Sequence, residues 1–253
     1  MRIHKTEGIV LAAQAHGEAD RLLRVFTRDM GKRSFVLKGI RKSRRRPQGA
    51  ADPGTRLLLT FYEHDNRATH IVTELRIAAH CADIRDSMER ICHLALMLET
   101  VDGTSGFDDP NPTVFEMISA AVAALAATDS PVVLSLFFLL HLLRIHGVLP
   151  PMGACARCGK PYADFAFGDA DLRPVCAACT RRDRPPPTLF PASARELLST
   201  LLSTRFSAIN TAALPVDTAL DLLFRAVLFI EGYYHIEIKS KKLLFSLHRN
   251  DDA

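Results

Sequence analysis

Four of the six cysteines in this 253-residue chain fall in one short stretch, CARCGKPYADFAFGDADLRPVCAAC, which begins and ends on a cysteine pair. These residues, Cys155, Cys158, Cys176 and Cys179, form two C-x2-C turns separated by a seventeen-residue loop. The spacing is typical of a four-thiolate zinc site, because each turn directs two sulfurs to one point. Four protein ligands leave no open coordination position, so we predict one structural Zn²⁺ rather than a catalytic ion.

The compartment decides between zinc ligands and the alternatives, which are disulfides and redox-active or unligated thiols. The N-terminus, MRIHKTEGIV, lacks an apolar segment of the length that a signal peptide needs. The longest apolar segment, residues 131–143, is shorter than the roughly 20 residues of a membrane span. We therefore expect a cytoplasmic protein with reduced thiols and no membrane contact, which favours zinc. Cys81 and Cys92 receive no predicted role.

The first 80 residues have the pattern of β-structure. Short runs rich in Val, Ile, Leu, Phe and Thr alternate with turn signals and occupy residues 6–16, 21–27, 33–40, 55–63 and 68–77. Five strands in a segment of this length are typical of an OB-fold barrel. An SH3-like barrel is the alternative from the pattern alone. We predict an α+β multidomain protein in which residues 1–80 form an OB-fold nucleic-acid-binding domain.

From residue 81 onward the pattern changes to helix, with apolar residues at spacings of three and four. Pro112 and Pro131 stand at the first position of two predicted helices, where a missing N–H costs nothing. The helix that follows Pro131 is apolar on nearly every face, which predicts a central, buried element. We predict an α-helical domain over residues 81–253 that carries the zinc-binding loop as an insertion at residues 150–184.

A later helix has a start signal of its own. Ser193 and Glu196 have the spacing of a capping box, which predicts a helix N-terminus at Ser193.

The sequence contains no enzyme signature that we recognise. It has neither a P-loop nor a dinucleotide-binding glycine motif, and it lacks a nucleophile elbow and the zinc-protease histidine pair. Ten histidines are scattered, and His141 on the apolar helix is interpreted as a buried structural residue. We therefore predict a protein that is not an enzyme.

The densest positive charge lies in KGIRKSRRR, residues 38–46, directly after the third predicted strand. Exposed Lys and Arg bind phosphates without base specificity, and this loop of an OB barrel lies beside the usual nucleic-acid face. The alternative is a solvated loop that keeps the barrel soluble. The candidate DNA-binding residues, with two cations of the preceding turn, are Lys32, Arg33, Lys38, Arg41, Lys42, Arg44, Arg45 and Arg46.

Single-strand binders add aromatic side chains on which bases stack. Phe35, Phe61 and Tyr62 lie on the neighbouring strands, and alternation requires at least one of Phe61 and Tyr62 to face the core.

A second group of cations surrounds the last cysteine pair. It consists of Arg173, Arg181, Arg182 and Arg184. Two interpretations stand equal: Arg173, Arg181 and Arg182 extend the DNA-binding surface, or the group is ordinary solvated surface.

Three segments, in order along the chain, carry a resemblance to a known family. EGIVLAAQAHGEADRLLRVFTRDMGKRSFVLKGIRKSR resembles the N-terminus of the bacterial recombination mediator RecO family, with its G-I-V-L strand, T-x-x-x-G-K turn and K-G-x-R loop. LLRIHGVLPPMGACARCGK is similar to that family's G-x-x-P segment before C-x-x-C-G, and EIKSKKLLF to its C-terminal K-S-x-x-x-L segment. The resemblance covers residues 1 to about 247.

The resemblance implies an OB-fold, a helical domain and a four-cysteine zinc site. It also implies binding of single- and double-stranded DNA, annealing of complementary strands, and action at the nucleoid without nucleotide hydrolysis. The implied partners are RecR, the C-terminal tail of single-strand-binding protein and, indirectly, the recombinase RecA. The resemblance assigns no residue to the tail. Arg144 is a candidate for its terminal carboxylate, and charge compensation at a helix C-terminus is the alternative.

Two other functions remain compatible with the sequence. One is a zinc-ribbon nucleic-acid-binding accessory factor in transcription or RNA processing, and the other is an interaction scaffold without DNA contact. Salt-dependent DNA binding distinguishes the scaffold from the others, and strand annealing distinguishes the mediator from the accessory factor.

Overall fold

The computed structural model describes residues 2–43, 47–63, 69–168, 171–181, 183–205 and 215–250. Packing divides the chain into two compact units, residues 1–126 and 127–253. The first unit contains the barrel and most of the two helices that follow it. The predicted domain limit at residue 80 marks the change from strands to helices, whereas the compact units divide about 45 residues later.

Five strands form a closed barrel in the first unit: β1 (Arg2–His16), β2 (Asp20–Thr27), β3 (Gly31–Leu37), β4 (Arg56–Glu63) and β5 (Thr69–Ala79). Their order is β1-β2-β3-β5-β4, and β4 pairs with β1 to complete the ring. All pairs are antiparallel except β3 with β5, which pair in parallel from Ser34–Thr69 to Val36–Ile71. This order is that of an OB-fold, so the predicted fold class is confirmed and the SH3-like alternative is excluded.

The barrel core is made by side chains that alternate inward along each strand. Leu23 and Val25 of β2, Phe35 of β3 and Phe61 of β4 are fully buried. The rings of Phe35 and Phe61 meet edge to face with centroids 5.0 Å apart. Neither ring can stack on a base, so two of the three candidate stacking residues are core residues. Tyr62 is half-buried, so Phe61 is the member of this pair that faces the core.

Two helices complete the first unit: α1 (Met88–Thr104) and α2 (Pro112–Ala127). The Ser87 hydroxyl caps α1 by accepting from the Arg90 N–H at 3.3 Å. The Asn111 side chain accepts from the Val114 N–H at 3.1 Å, and Pro112 is the first residue of α2, as predicted. Both helices therefore begin where a side-chain oxygen satisfies an unpaired backbone donor.

The second unit is mainly helical. Its helices are α3 (Pro131–Ile145), α4 (Ala177–Thr180), α5 (Ala192–Ser203), α6 (Val216–Tyr234) and α7 (Ser240–Asn250), with two short strands, β6 (Phe165–Ala166) and β7 (Val175–Cys176). Every residue of α3 from Pro131 to Leu143 is buried, which confirms the predicted central helix. Helices α5 and α6 pack against α3, and α7 contacts α6 through the edge-to-face rings of Phe224 and Phe245. None of the helices in the described ranges is long and apolar enough to cross a lipid bilayer.

The predicted capping box at the start of α5 is not formed. The helix begins at Ala192, one residue before Ser193, and the Ser193 side chain makes no cap. The carboxylate of Asp164 accepts from the Ala192 N–H at 3.1 Å instead. The capping residue therefore belongs to the cysteine loop, 28 residues earlier in the chain, and a motif within the helix sequence cannot predict such a distant partner.

His141 is a buried structural residue, as its position on the apolar helix suggested. Its Nδ1 lies 2.8 Å from an Nη of Arg144, and its Nε2 lies 3.0 Å from the carbonyl oxygen of Leu201. A guanidinium only donates, so Nδ1 accepts and Nε2 donates to the carbonyl. Burial lowers the pKa of His141, and the Arg144 charge lowers it further. The ring is thus held neutral between α3 and the end of α5.

We expect acid to destabilise the protein partly through His141. Because the folded-state pKa lies below the unfolded value of 6.5, the stability from the neutral ring is full above pH 6.5 and is lost as pH falls toward the folded pKa. His141→Gln keeps an amide donor and removes the titration. Urea midpoints at pH 7.5 and 5.5 should therefore differ less for this variant than for the wild-type protein. An equal acid-induced change in both proteins would contradict this role.

Candidate metal centre and nucleic-acid interface

The first cysteine turn is fixed by backbone hydrogen bonds. The Cys155 N–H donates to the carbonyl of Lys160 at 2.9 Å, and the Gly159 N–H donates to the carbonyl of Cys155 at 2.9 Å. The chain therefore folds back between Cys155 and Lys160, which places Cys155 and Cys158 on the same side of one turn.

The second cysteine turn is built on a two-stranded ribbon. Cys176 ends β7 and pairs with Phe165 of β6, and Cys179 lies in the single helical turn α4. The Cys176 N–H donates to the sulfur of Cys155 at 3.3 Å, which joins the two turns. The ribbon rests on a small aromatic core, in which Phe165 stacks on Phe190 with centroids 5.4 Å apart.

The structure brings all four predicted ligands together. The sulfurs of Cys155, Cys158, Cys176 and Cys179 all lie within 4.8 Å of one another, and the sulfurs of Cys158 and Cys176 are 3.9 Å apart. A tetrahedral set at Zn–S distances of about 2.3 Å has sulfurs separated by roughly 3.8 Å. All six cysteines of the chain are free thiols, so the cluster is not a pair of disulfides. This geometry can hold a metal ion.

The charges at the cluster also suit a cation. Burial raises the pKa of the Cys155 thiol, but hydrogen bonds from backbone donors, with Cys176 first among them, outweigh it and lower the pKa to about 6. Hydrogen bonds with Cys176 and Cys158 raise the pKa of Cys179 to about 12. The thiols alone therefore favour one thiolate and keep a neighbour protonated. A dipositive ion removes this conflict, because a coordinated thiol is deprotonated.

Arg157 supports the cluster from outside the ligand set. It lies between the first two cysteines, and its Nη1 donates to the carbonyl of Cys179 at 2.9 Å and to the carboxylate of Asp183 at 2.8 Å. The hydrogen bond from Arg157 lowers the pKa of Asp183. One guanidinium thus ties the first turn to the end of the second. The sequence placed this arginine beside the ligands but gave no sign of its partners.

The candidate basic loop begins at one end of the barrel. Lys38, Arg41 and Lys42 are exposed, and the Arg41 N–H donates to the carbonyl of Ala19 at 3.0 Å, which holds the loop against the β1–β2 turn. Lys42 lies 3.3 Å from Glu18, and both side chains are exposed. Such an exposed ion pair contributes little to the stability of the fold. Arg44, Arg45 and Arg46 lie outside the described residues.

The two cations predicted from the preceding turn have different surroundings. The Lys32 ammonium donates to the Asp102 carbonyl and lies 3.5 Å from the Asp102 carboxylate, and its side chain is only 10% exposed. Arg33 pairs with Glu63 at 2.9 Å and with Asp108 at 2.8 Å, with 16% of its side chain exposed. These ion pairs use the charges that a phosphate would need. Lys32 and Arg33 are therefore left out of the interface proposed below.

The second group of cations lies beside the cysteine cluster. Arg173 is exposed and pairs with Asp171 at 2.9 Å. Arg181 and Arg184 are also exposed, and Arg184 donates to the carbonyl of Arg181 at 3.2 Å. Arg182 lies outside the described residues.

Taken together, these features define a class of protein: an OB-type barrel joined to a helical unit that carries a four-cysteine loop able to hold a metal ion. Comparison with known proteins agrees with this class and identifies one family within it. The family model described as Recombination protein O N terminal matches residues 1–79, and the model described as Recombination protein O C terminal matches residues 85–242.

Individual relatives agree with the family models. The chain is 25% identical over 257 residues to the DNA repair protein RecO of Desulforamulus reducens, covering 99% of this chain and 97% of that protein. It is 25% identical over 240 residues to the DNA repair protein RecO of Bacillus subtilis, covering 95% and 93%. A match to the protein of the same name from Prosthecochloris aestuarii, 28% identical, covers 64% of this chain and 62% of that protein. The chain belongs to the RecO family of DNA repair proteins.

Proposed function

We propose that this protein is a recombination mediator. It binds single- and double-stranded DNA, anneals complementary strands, and helps to load RecA onto strands coated by single-strand-binding protein, together with RecR. Membership of a bacterial DNA repair family supports the proposal, and the nucleoid is the proposed place of action. Annealing requires that strands be held and released, and it consumes no nucleotide, so the proposal includes no enzymatic step.

The observation that carries the proposal is the exposed cation group at the end of the barrel. Lys38, Arg41 and Lys42 lie in one short turn whose backbone is held by two hydrogen bonds from the β1–β2 region. The Gly39 N–H donates to the Asp20 carboxylate at 2.7 Å, and the Arg41 N–H donates to Ala19. A fixed turn that carries solvated cations suits contact with phosphates, which requires no base recognition. We propose that Arg44, Arg45 and Arg46 belong to the same surface.

We also propose that the four-cysteine cluster binds one structural Zn²⁺. Cys155, Cys158, Cys176 and Cys179 supply a complete tetrahedral set of thiolates, which zinc accepts and which leaves no position for substrate. The ion would hold the two turns and the β6–β7 ribbon together. Its contribution is to the shape of residues 150–184 rather than to a reaction.

No residue is assigned to the tail of single-strand-binding protein. Arg144 was the sequence candidate for the terminal carboxylate of that tail. Its Nη1 donates to the carbonyl of Leu202 at 2.8 Å and its Nη2 to His141, so the guanidinium neutralises the C-terminal end of α5. This supports the alternative role of helix charge compensation, because Arg144 lies in the last turn of α3 and also donates to the C-terminal end of α5.

Strand annealing is the experiment that tests the proposed function. Complementary labelled oligonucleotides, bare or coated with single-strand-binding protein, are mixed with the full-length protein without nucleotide. We expect duplex to form faster than spontaneously in both cases. Salt-sensitive DNA binding without any acceleration would instead favour an accessory factor of another class, and absence of DNA binding would favour a scaffold.

Removing the barrel cations should weaken DNA binding in a salt-dependent manner. The variant Lys38→Ala/Arg41→Ala/Lys42→Ala loses three phosphate contacts, which should lower the magnitude of the slope of log K against log salt by about 2, at roughly 0.7 per phosphate for single strands. The loss should be similar for any base sequence, because phosphate contacts carry no sequence information. Affinity for oligonucleotides of two compositions is measured by fluorescence anisotropy at several salt concentrations.

The matched control removes the same charge elsewhere. Lys5, Arg76 and Lys239 are exposed cations outside the basic loop, and their replacement by Ala changes net charge equally. If the control and the loop variant show the same salt slope, the barrel loop is not the DNA contact.

A further inference from the structure

A cavity of about 600 Å³ lies beside the four-cysteine cluster. Its volume is within the range of ligand sites in proteins. The first cysteine turn contributes Ala156 and Arg157 to its wall, and the chain around the second turn contributes Val175 and Thr180. Both cysteine turns therefore shape this cavity.

Four arginines line the cavity, more than the two carboxylates beside them can neutralise. Arg157, Arg173, Arg184 and Arg225 face two acidic residues, Asp171 and Asp183, which leaves two net positive charges. Sequence reasoning named Arg173 and Arg184 but missed Arg225, which comes from α6, about 50 residues further along the chain. An anion is the ligand that this lining selects.

The arginines are held but retain free donors. Arg173 uses its Nε for Asp171, and Arg157 uses one Nη for Asp183 and the Cys179 carbonyl. Each guanidinium has five N–H donors, so the remaining Nη groups are available to phosphate oxygens. Within the described residues, Arg225 makes no hydrogen bond or ion pair and is half-buried. Because its donors have no protein partner among the described residues and it lines the cavity, the Arg225 guanidinium is available to bind an anion there.

Part of the remaining lining is apolar. Ala166 and Phe167 contribute to one part of the wall, and Pro185, Pro186 and Pro187 to another. Four guanidiniums beside apolar surface for sugars and bases suit a polyanion with an apolar side better than an isolated inorganic anion.

We propose that this cavity is a second site for the phosphodiester backbone of single-stranded DNA, separate from the barrel loop. The inference rests on the proposed function and deepens it. A chain that anneals two strands needs contacts with both, and two cationic sites on one chain supply them. Arg225 and Arg173 are the residues that hold the second strand.

Counting bound oligonucleotides tests the site. A labelled oligothymidine of about six nucleotides, near the lower end of the sizes that single-strand sites accept, is titrated at low salt against the full-length, metal-loaded protein. We expect two oligonucleotides per chain for the wild-type protein and one for Arg173→Ala/Arg225→Ala. We also expect one for the barrel variant Lys38→Ala/Arg41→Ala/Lys42→Ala. Annealing by the cavity variant should be slower by about tenfold or more. The loss of one hydrogen bond to a charged group weakens binding by at least about tenfold, and this variant loses two cationic side chains.

Two control variants test whether the effect depends on the position of the lost charges and on the charge itself. Lys160→Ala/Arg195→Ala removes two exposed cations of the same unit that do not line the cavity, and it should still bind two oligonucleotides. Arg173→Lys/Arg225→Lys keeps the charges and should bind more tightly than the alanine pair. Metal content is measured for every variant, so that a loss of the cysteine loop is not mistaken for a loss of ligand contacts.

The outcomes separate this site from the proposed function. A wild-type protein that binds no DNA would overturn both. One oligonucleotide per wild-type chain, or a cavity variant indistinguishable from the Lys160→Ala/Arg195→Ala control, would overturn the second site alone and leave the barrel site standing.

Discussion

Replacing Cys158 or Cys176 with serine is expected to remove the bound metal and to unfold the cysteine loop. The wild-type protein should carry one zinc per chain, and each variant should carry none, because three thiolates cannot complete the tetrahedral set. Zinc binding to four-ligand sites of this kind is worth about 10–16 kcal/mol in small peptides, so the loss should be all or none in metal analysis. The helices should survive, since the core of α3 and α6 does not include the sulfurs.

The control for this experiment is the same substitution outside the cluster. Cys81 donates from its sulfur to the carbonyl of Gly54 at 3.2 Å, and a serine hydroxyl can make the same hydrogen bond. Burial raises the pKa of the Cys81 thiol to about 11, so it is not a thiolate ligand at neutral pH. Cys81→Ser should keep its zinc. Full zinc content in Cys158→Ser, or none in wild-type protein prepared without chelator, would refute the site.

The second large effect is expected from Gly31→Ala at the first residue of β3, directly after the turn that follows β2. Gly31 has φ of +69°, and an added Cβ would lie 2.5 Å from backbone atoms of Asp109. The left-handed conformation costs an alanine about 1–2 kcal/mol, and overpacking adds about 1–3 kcal/mol, so we expect a loss of about 2–5 kcal/mol in the free energy of unfolding. The Asp109 segment cannot easily move away, because the Asp108 N–H donates to the Lys32 carbonyl at 3.2 Å.

Gly17→Ala separates the conformational part of this cost from the overpacking part. Gly17 has nearly the same backbone, with φ of +62°, but nothing lies within 4 Å of an added Cβ. Only the conformational cost of about 1–2 kcal/mol should remain. Urea unfolding of both variants, followed by circular dichroism, measures the difference. Equal destabilisation would show that the segment at Asp109 yields without cost.

The features that could be predicted were those that produce a pattern in a short stretch of sequence. Short runs rich in Val, Ile, Leu, Phe and Thr, separated by turn signals, predicted all five strands of the barrel. The all-round apolar character of α3 predicted its burial. The four cysteines were found by spacing alone, since both turns are local structures that meet at one point. That these cysteines hold an ion, and that the ion is zinc, are still predictions.

Features that depend on distant partners were not predictable. Lys32 and Arg33 stood in an apparently basic turn, but their partners Asp102 and Asp108 lie about 70 residues further along the chain. Arg225 gave no signal because one arginine on an amphipathic helix is ordinary. In each case, the fold rather than the neighbouring sequence decides whether the charge is paired.

The ion pairs at the β2–β3 turn have a consequence for how modules of this family can be exchanged. The N-terminal family model ends at residue 79 and the C-terminal model begins at residue 85, so sequence comparison points to residues 80–84 as the junction for a chimera. A junction there would separate Lys32 from Asp102 and Arg28 from Glu116, and it would leave Gly31 packed against a foreign segment. The unit that sequence comparison delimits is thus smaller than the unit that packs together. Crossovers between relatives should preserve the barrel best when they fall near residue 127.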